Sequence, residues 1–334
     1  MKRLTLFLSA ILCLGTTAPA SAVDYSKIFV FGDSLVDSGN AQIGSLALGL
    51  PDPAPASAGY FNGRFSNGYN FADYLSLGYV GAAASPFLAN QTMNTNFAVG
   101  GATAAETSPI IPGFIGQLGL FQGTAQPIPG DALVIVTFGG NDVRAQLGNL
   151  GIADFTATLT AFSNGLAALT GAGAKNILVT GLADVGAIPS VLALGNATVA
   201  DLATARSQAL NAQFAAIAQT TAQLSGADID FFDLFALDRA LHDDPAAFGM
   251  PGLNLTDSCQ SGGAAAVLGG CTGYLYFDGI HPTTAIHALM ARSMAAQLAV
   301  PETGTWLLMI VGLGVIGGGL RQRAPASRER ERRV

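Results

Sequence analysis

The chain is 334 residues long, half of them hydrophobic, and its formal net charge is −7. Between residues 23 and 300, 7 lysines and arginines face 19 aspartates and glutamates. This balance excludes nucleic acid as a partner, and attachment by charge to anionic membranes, while the length suffices for one large domain with a substantial core.

At the start, Lys2 and Arg3 precede the apolar run LTLFLSAILCLG, and APASA closes it. These are the three parts of a secretory leader, residues 1–22, to be cut by signal peptidase after Ala22. A membrane anchor is the alternative, but the run is short for spanning. Cys13 leaves with the leader, so Cys259 and Cys271 remain. An even pair in an oxidising compartment is most simply a disulfide, contributing about 3 kcal/mol on the chain-entropy model.

KIFVF, 27–31, reads as a short buried strand. It stops at Gly32, and Ser34 should open a helix. There Ser34 is either an N-cap or a nucleophile whose hydroxyl the turn exposes. Ala41 to Tyr69, rich in Gly, Pro and Ser, reads as a long surface loop that shapes a pocket. A short helix follows in NFADYLSL. TNFAVGGAT, 95–103, is a possible strand ending in a glycine pair, and ALVIVTFGGND, 132–142, is the strongest strand. Residues 152–170 form a helix closed by Gly171 and Gly173. KNILVTGL is a strand, Ala200 to Leu224 a long helix, DIDFFDL the fifth strand, and Thr283 to Leu298 the last helix. Such alternation predicts an α/β fold: an open, mostly parallel sheet with helices on both faces and ligands at the carboxyl ends of the strands.

Of the three histidines, His281 lies in YFDGIHPT three residues after Asp278. An aspartate so placed can hold the imidazole tautomer and leave the other nitrogen as a base, although a structural His–Asp pair in a turn is the commoner arrangement. His287 reads as a helix-face residue and His242 as a solvated loop residue. Gly101 and Asn141 each follow a predicted strand, where turns and caps are the ordinary reading. A backbone N–H and a side-chain amide there also suit an oxyanion hole together with the N–H of Ser34.

GDSLVDSGN, the GRFSNG loop, NFAVGGAT, FGGND and DGIHPT resemble the successive sequence blocks of the GDSL or SGNH esterase/lipase family, spread from Gly32 to His281. The resemblance implies a flavodoxin-like three-layer αβα sandwich around a mostly parallel five-stranded sheet. It implies Ser34 as nucleophile, His281 as base and Asp278 as its orienting acid, with Ser34, Gly101 and Asn141 as oxyanion donors. The substrate is then a small-molecule, lipid or polysaccharide ester, no cofactor or metal is required, and a monomer is expected. Two other classes remain open. One is a metal-dependent phosphoesterase built on Asp33, Asp37, Asn141, Asp142 and His281. The other is an exported surface-binding module without catalysis.

After the domain, expected over 23–299, residues 300–334 join a Pro-Glu pair, an apolar segment 306–320 and an arginine-rich tail. Fifteen helical residues span only about 22 Å, short against a hydrocarbon core of about 30 Å, but with Thr303 to Thr305 added the segment could cross a thin or locally pinched bilayer. The arginines would stay cytoplasmic, leaving the body outside. This tail resembles the PEP-CTERM sorting signal of bacterial exported proteins, with Thr303 in place of a second proline. It implies an exosortase-like processing enzyme, transient anchoring at the inner membrane and a final place at the cell surface or outside the cell.

Overall fold

In the computed structural model, which describes residues 24–299 apart from 92–94, 107 and 109, four strands form one parallel ladder. They are β1 (Ile28–Gly32), β2 (Leu133–Thr137), β3 (Asn176–Thr180) and β4 (Asp228–Phe232), ordered β1-β2-β3-β4. Every residue of β1 and β2 is buried, which is why these strands read as unbroken apolar runs rather than alternating ones. The expected leader and the expected tail lie outside the described residues. Among the described residues no helix is long and apolar enough to cross a membrane.

The expected strand 95–103 is a correction, since it lies outside the four-stranded ladder. It runs beside β1 through one isolated parallel bridge, Val30 with Asn96. Its hydrogen bonds are Val30 N–H to Thr95 O, Phe97 N–H to Val30 O and Val99 N–H to Gly32 O. On its other edge Asn96 bonds the backbone of 85–87, with Phe87 N–H donating to Asn96 O and Asn96 N–H to Ser85 O, and the Asn40 amide donates to the carbonyls of Asn96 and Ala98. With this segment counted, the spatial order is edge segment, β1, β2, β3, β4, so the direction of chain progression reverses at β1. Right-handed crossovers then put the connection from β1 to the edge segment on one face and those between the later strands on the other. In open α/β sheets the reversal point is where ligands bind.

The helices follow that division. On one face, α3 (Phe114–Gly123) packs Phe121 and Phe114 against Phe31 of β1, α5 (Thr156–Gly171) lies against α3, and α7 (Ala197–Ser225) against α5. Phe162 and Phe214 stack at 3.9 Å between α5 and α7. Earlier in the chain come α1 (Asn40–Ala47), which occupies the start of the expected 41–69 loop, and α2 (Phe71–Val80). Between them and the last helix lie α4 (Gly140–Ala145), α6 (Pro189–Leu192), α8 (Leu234–Asp243) and α9 (Gly263–Leu268). A small second sheet pairs β5 (Asn254–Ser258) with β6 (Tyr274–Tyr276), and α10 (Thr284–Leu298) closes the described chain.

His287 sits on α10 against Phe71 of α2, 1 % exposed, with Nδ1 unpartnered among the described residues. Burial first, then the nearby charge of His281, pushes its pKa down to about 3. The unfolded chain therefore binds a proton below about pH 6.5 that the folded one refuses, and stability falls as pH drops from there toward 3. Asp33 and Asp238 act oppositely. Burial raises both to about 7, so their contribution is full at acid pH and lost as pH rises through 7. His287→Leu keeps those two groups and removes the first, so its acid unfolding midpoint should lie at lower pH than the wild type's. Circular dichroism from pH 7 to 3 reads this, and coincident midpoints would refute it.

Candidate active site

Chain direction reverses at the end of β1, and the site grows from there. Gly32 has no room for a Cβ, which would lie 2.6 Å from Thr137 O and 2.7 Å from the Val36 side chain. Gln117 of α3 clasps both backbone groups of Gly32, its Oε1 accepting from the N–H and its Nε2 donating to the carbonyl, each at 2.8 Å. The chain then makes one turn, with the N–H groups of Val36 and Asp37 donating to Asp33 O. Ser34 lies in this turn and does not open a helix, which corrects the expectation. The helix starts at Asn40, because the Asp37 carboxylate caps the N–H groups of Gly39, Asn40 and Ala41. Ser34 is left half-exposed, and its own N–H has no acceptor among the described residues.

The other wall comes from the turn after β6. Asp278 Oδ1 accepts the N–H groups of Ile280 and His281 at 2.8 and 2.7 Å, folding the DGIH segment back on itself. The His281 carbonyl accepts from Phe277 N–H, and Pro282 bridges to Tyr276. His281 Nδ1 then lies 2.8 Å from Asp278 Oδ2 and its Nε2 lies 2.7 Å from Ser34 Oγ, across 247 residues of sequence. Burial would raise Asp278, but the facing imidazole and the hydrogen bonds from His281 and Ile280 outweigh it and hold the carboxyl at about 2. It therefore stays ionised over the whole range in which an imidazole can act as a base.

Asn141 is the second residue of α4, just after β2. Its Nδ2 donates to Ala102 O at 2.9 Å, and its Oδ1 accepts from Arg144 at 3.1 Å. The amide is thereby held in one orientation with its second N–H unassigned. Gly101 takes a left-handed φ of +87° and stands outside the cleft lining. The N–H of Gly100 is committed to Asp37 Oδ2 at 2.8 Å, and a side chain at Gly100 would collide with Phe65. Of the two glycines, then, Gly101 is the one whose N–H has no protein acceptor among the described residues.

Several contacts of the site carried no sequence signal. Tyr60 donates its hydroxyl to Asp278 Oδ2 at 2.8 Å across 218 positions, and no local pattern announces such a contact. In the GRFSNG loop, Arg64 is buried and pairs with Asp73 of α2 at 2.6 Å. That anchors Phe65 against the His281 ring at 5.1 Å and Ser66 on the carbonyl of Pro282. Cys259 and Cys271 are bonded, and they form a buried cluster with Phe277 on which Tyr60 packs. The disulfide thus supports the aspartate from behind.

The cleft at Ser34 and His281 encloses about 60 Å³. Its walls are Leu182 to Ile188 after β3, Leu234 and Asp238 of α8, and Leu275, Tyr276 and Met290. The 41–69 loop, expected to shape a pocket, does not line this cleft, whose walls come from the segments after β3 and β4 and from β6 and α10. His242 is likewise a half-buried residue of α8 and not a solvated loop residue. The carboxylates of the metal alternative are engaged elsewhere: Asp37 with four backbone N–H groups and Asp142 with Ala104 N–H and Thr158 Oγ1. Among the described residues no group of three or more His, Cys, Asp and Glu is arranged to hold a metal ion.

The model of the GDSL-like Lipase/Acylhydrolase family matches residues 28–294. A GDSL esterase/lipase of Arabidopsis thaliana is 28% identical over 86% of this chain and 89% of its own length. Lipase 1 of Photorhabdus luminescens is 31% identical over 61% of this chain, a region that is only 30% of that longer protein. Among solved structures, an acetylxylan esterase from Geobacillus stearothermophilus aligns over 84% of this chain and 97% of its own, with TM-score 0.45 and 15% identity.

Proposed function

Since the chain belongs to the GDSL-like lipase/acylhydrolase family and is a carboxylic ester hydrolase, we propose that it works as an exported serine hydrolase through Ser34, His281 and Asp278. The single observation that carries this reading is the 2.7 Å approach of His281 Nε2 to Ser34 Oγ, with Asp278 on the opposite ring nitrogen. Geometry of this kind defines the role irrespective of sequence position.

Ser34 Oγ attacks the ester carbonyl carbon while its proton passes to His281 Nε2. The carbonyl oxygen, now negative, accepts the N–H groups of Ser34 and Gly101 and the free amide N–H of Asn141. His281 returns the proton to the leaving alcohol oxygen as the C–O bond breaks, which leaves an acyl-enzyme on Ser34. Water then attacks with His281 again as base, and the acid departs. Throughout, Asp278 keeps the Nδ1 proton in place and stabilises the transient imidazolium. Substrates of this reading are short acyl esters, lipid esters or O-acetyl groups on polysaccharide. For placement, the reading takes residues 1–22 as the leader and 300–334 as a sorting tail that anchors the chain until an exosortase-like enzyme processes it at the cell surface.

A fluorophosphonate probe tests this directly. We expect covalent labelling of Ser34, found by peptide mass spectrometry, at an undiminished rate in the presence of a chelator. An unlabelled Ser34 in folded protein would favour the non-catalytic binding module, and chelator-sensitive ester hydrolysis would favour a metal enzyme.

A further inference from the structure

Beside Ser34 and His281 the cleft is lined by aliphatic side chains and by the polar groups of Asp33, Asn141 and Arg144, and, farther along the wall, of Tyr276 of β6 and Asp238 of α8. Tyr276 is 3% exposed, and its hydroxyl has no hydrogen-bond partner among the described residues. Asp238 is 5% exposed. Its Oδ2 accepts Asp184 N–H at 3.3 Å, and its Oδ1 lies 3.8 Å from His242 Nε2, beyond hydrogen-bond reach. His242 Nε2 is also buried and unpartnered, and its ring centroid is 6.5 Å from that of Tyr276. Two buried polar atoms, the Tyr276 hydroxyl and His242 Nε2, are thus unsatisfied among the described residues beside the Asp238 carboxylate. A buried hydroxyl without a partner is rare and costly, because the protein has removed it from water and returned nothing.

A metal does not answer this need, since a phenol and a lone carboxylate next to a histidine are not grouped as a ligand set among the described residues. A plain alkyl group entering the corner would leave both atoms unsatisfied. A hydroxyl group does answer it. It can accept from the Tyr276 O–H and donate to Asp238 Oδ1, or accept from His242 when that ring presents Nε2–H. Burial raises Asp238 to about 7, so near neutrality the carboxyl serves a hydroxyl either as acceptor or as donor. The enclosed volume of about 60 Å³ suits a group of a few heavy atoms, given that one water needs about 10–15 Å³.

We propose that Tyr276 and Asp238 form a specificity subsite for a free hydroxyl close to the scissile ester, so that the substrate class is polyol or sugar esters. This deepens, and rests on, the serine-hydrolase reading above. Sites built to bond a substrate hydroxyl discriminate against the analogue that lacks it, because the analogue strands buried polar groups.

The test compares glycerol monoacetate with propyl acetate, which share a three-carbon alcohol and differ in its free hydroxyls. For the wild type the ratio of kcat/KM between them should be about tenfold or more in favour of the glycerol ester, the worth of one well-made hydrogen bond. In Tyr276→Phe and in Asp238→Asn that ratio should fall toward one. A ratio near one in the wild type, or a ratio that both variants leave unchanged, overturns the subsite. Nitrophenyl acetate serves as the third substrate. If the wild type cleaves it but discriminates no hydroxyl, only the subsite is lost; if it cleaves no ester at all, the hydrolase reading itself fails.

Discussion

Ser34→Ala should lower kcat for ester hydrolysis by about ten-thousandfold or more, and leave the folded domain intact. The magnitude follows from the unit in which Ser34 acts: removing the nucleophile of such a constellation forfeits the acyl-enzyme route, and what remains is binding and oxyanion stabilisation. The fold should tolerate the change because, among the described residues, the serine hydroxyl makes one hydrogen bond, with His281 Nε2. The turn itself is held by Asp33, Val36 and Asp37 backbone bonds and by Gln117. Steady-state kinetics with nitrophenyl esters, beside a thermal melt, reads both halves. Retained turnover in a well-folded variant would dismiss Ser34 as nucleophile.

The second large effect is expected at Asp278. Asp278→Asn should lower kcat by about a thousandfold to ten-thousandfold, as when the orienting acid of a serine triad becomes an amide. Here the local bonds say why. Oδ1 accepts the N–H groups of Ile280 and His281, and Oδ2 accepts the Tyr60 hydroxyl and faces His281 Nδ1. An asparagine keeps its oxygen on the two backbone donors and so turns its NH₂ toward Tyr60 and the imidazole. Nδ1 must then accept, the ring proton moves to Nε2, and the nitrogen beside Ser34 can no longer take a proton. The defect should ease at high pH only if hydroxide replaces the base. It should be smaller in Tyr60→Phe, which removes one donor and leaves the carboxylate. If Asp278→Asn and Tyr60→Phe lose the same small factor, the aspartate is a structural member of the turn and no more.

Reading the chain residue by residue gave β1 to β3 because each carries a nearly continuous apolar run of a length only a buried parallel strand uses, a property local to five residues. By contrast β4, DIDFF, is a less buried strand that alternates acid and apolar residues before its final phenylalanine. The same reading did not give α3, since FIGQLGLFQG is apolar on every side and punctuated by glycine. Nor did it give the short pair β5 and β6, whose partners lie far along the chain. The edge segment 95–99 was legible as extended, but neither its single bridge to β1 nor the Asn40 amide on its outer edge could be read there.

The candidate site divides along the same line. Types and order of chemical residues were present in the sequence by itself: a serine after a strand-ending glycine, a glycine pair, an asparagine after the next strand, and an aspartate three residues before a histidine. Those are short-range patterns, and side-chain chemistry does not depend on the rest of the fold to be recognised. Only the tertiary structure decided that Ser34 sits in a single turn, with the helix delayed to Asn40 by the Asp37 carboxylate. It alone placed His281 beside Ser34, Tyr60 behind Asp278, and Tyr276 with Asp238 in the wall of the cleft. Each of these joins residues that are dozens to hundreds of positions apart, and such proximity is created by packing the sheet and helices together, which no local stretch of sequence encodes.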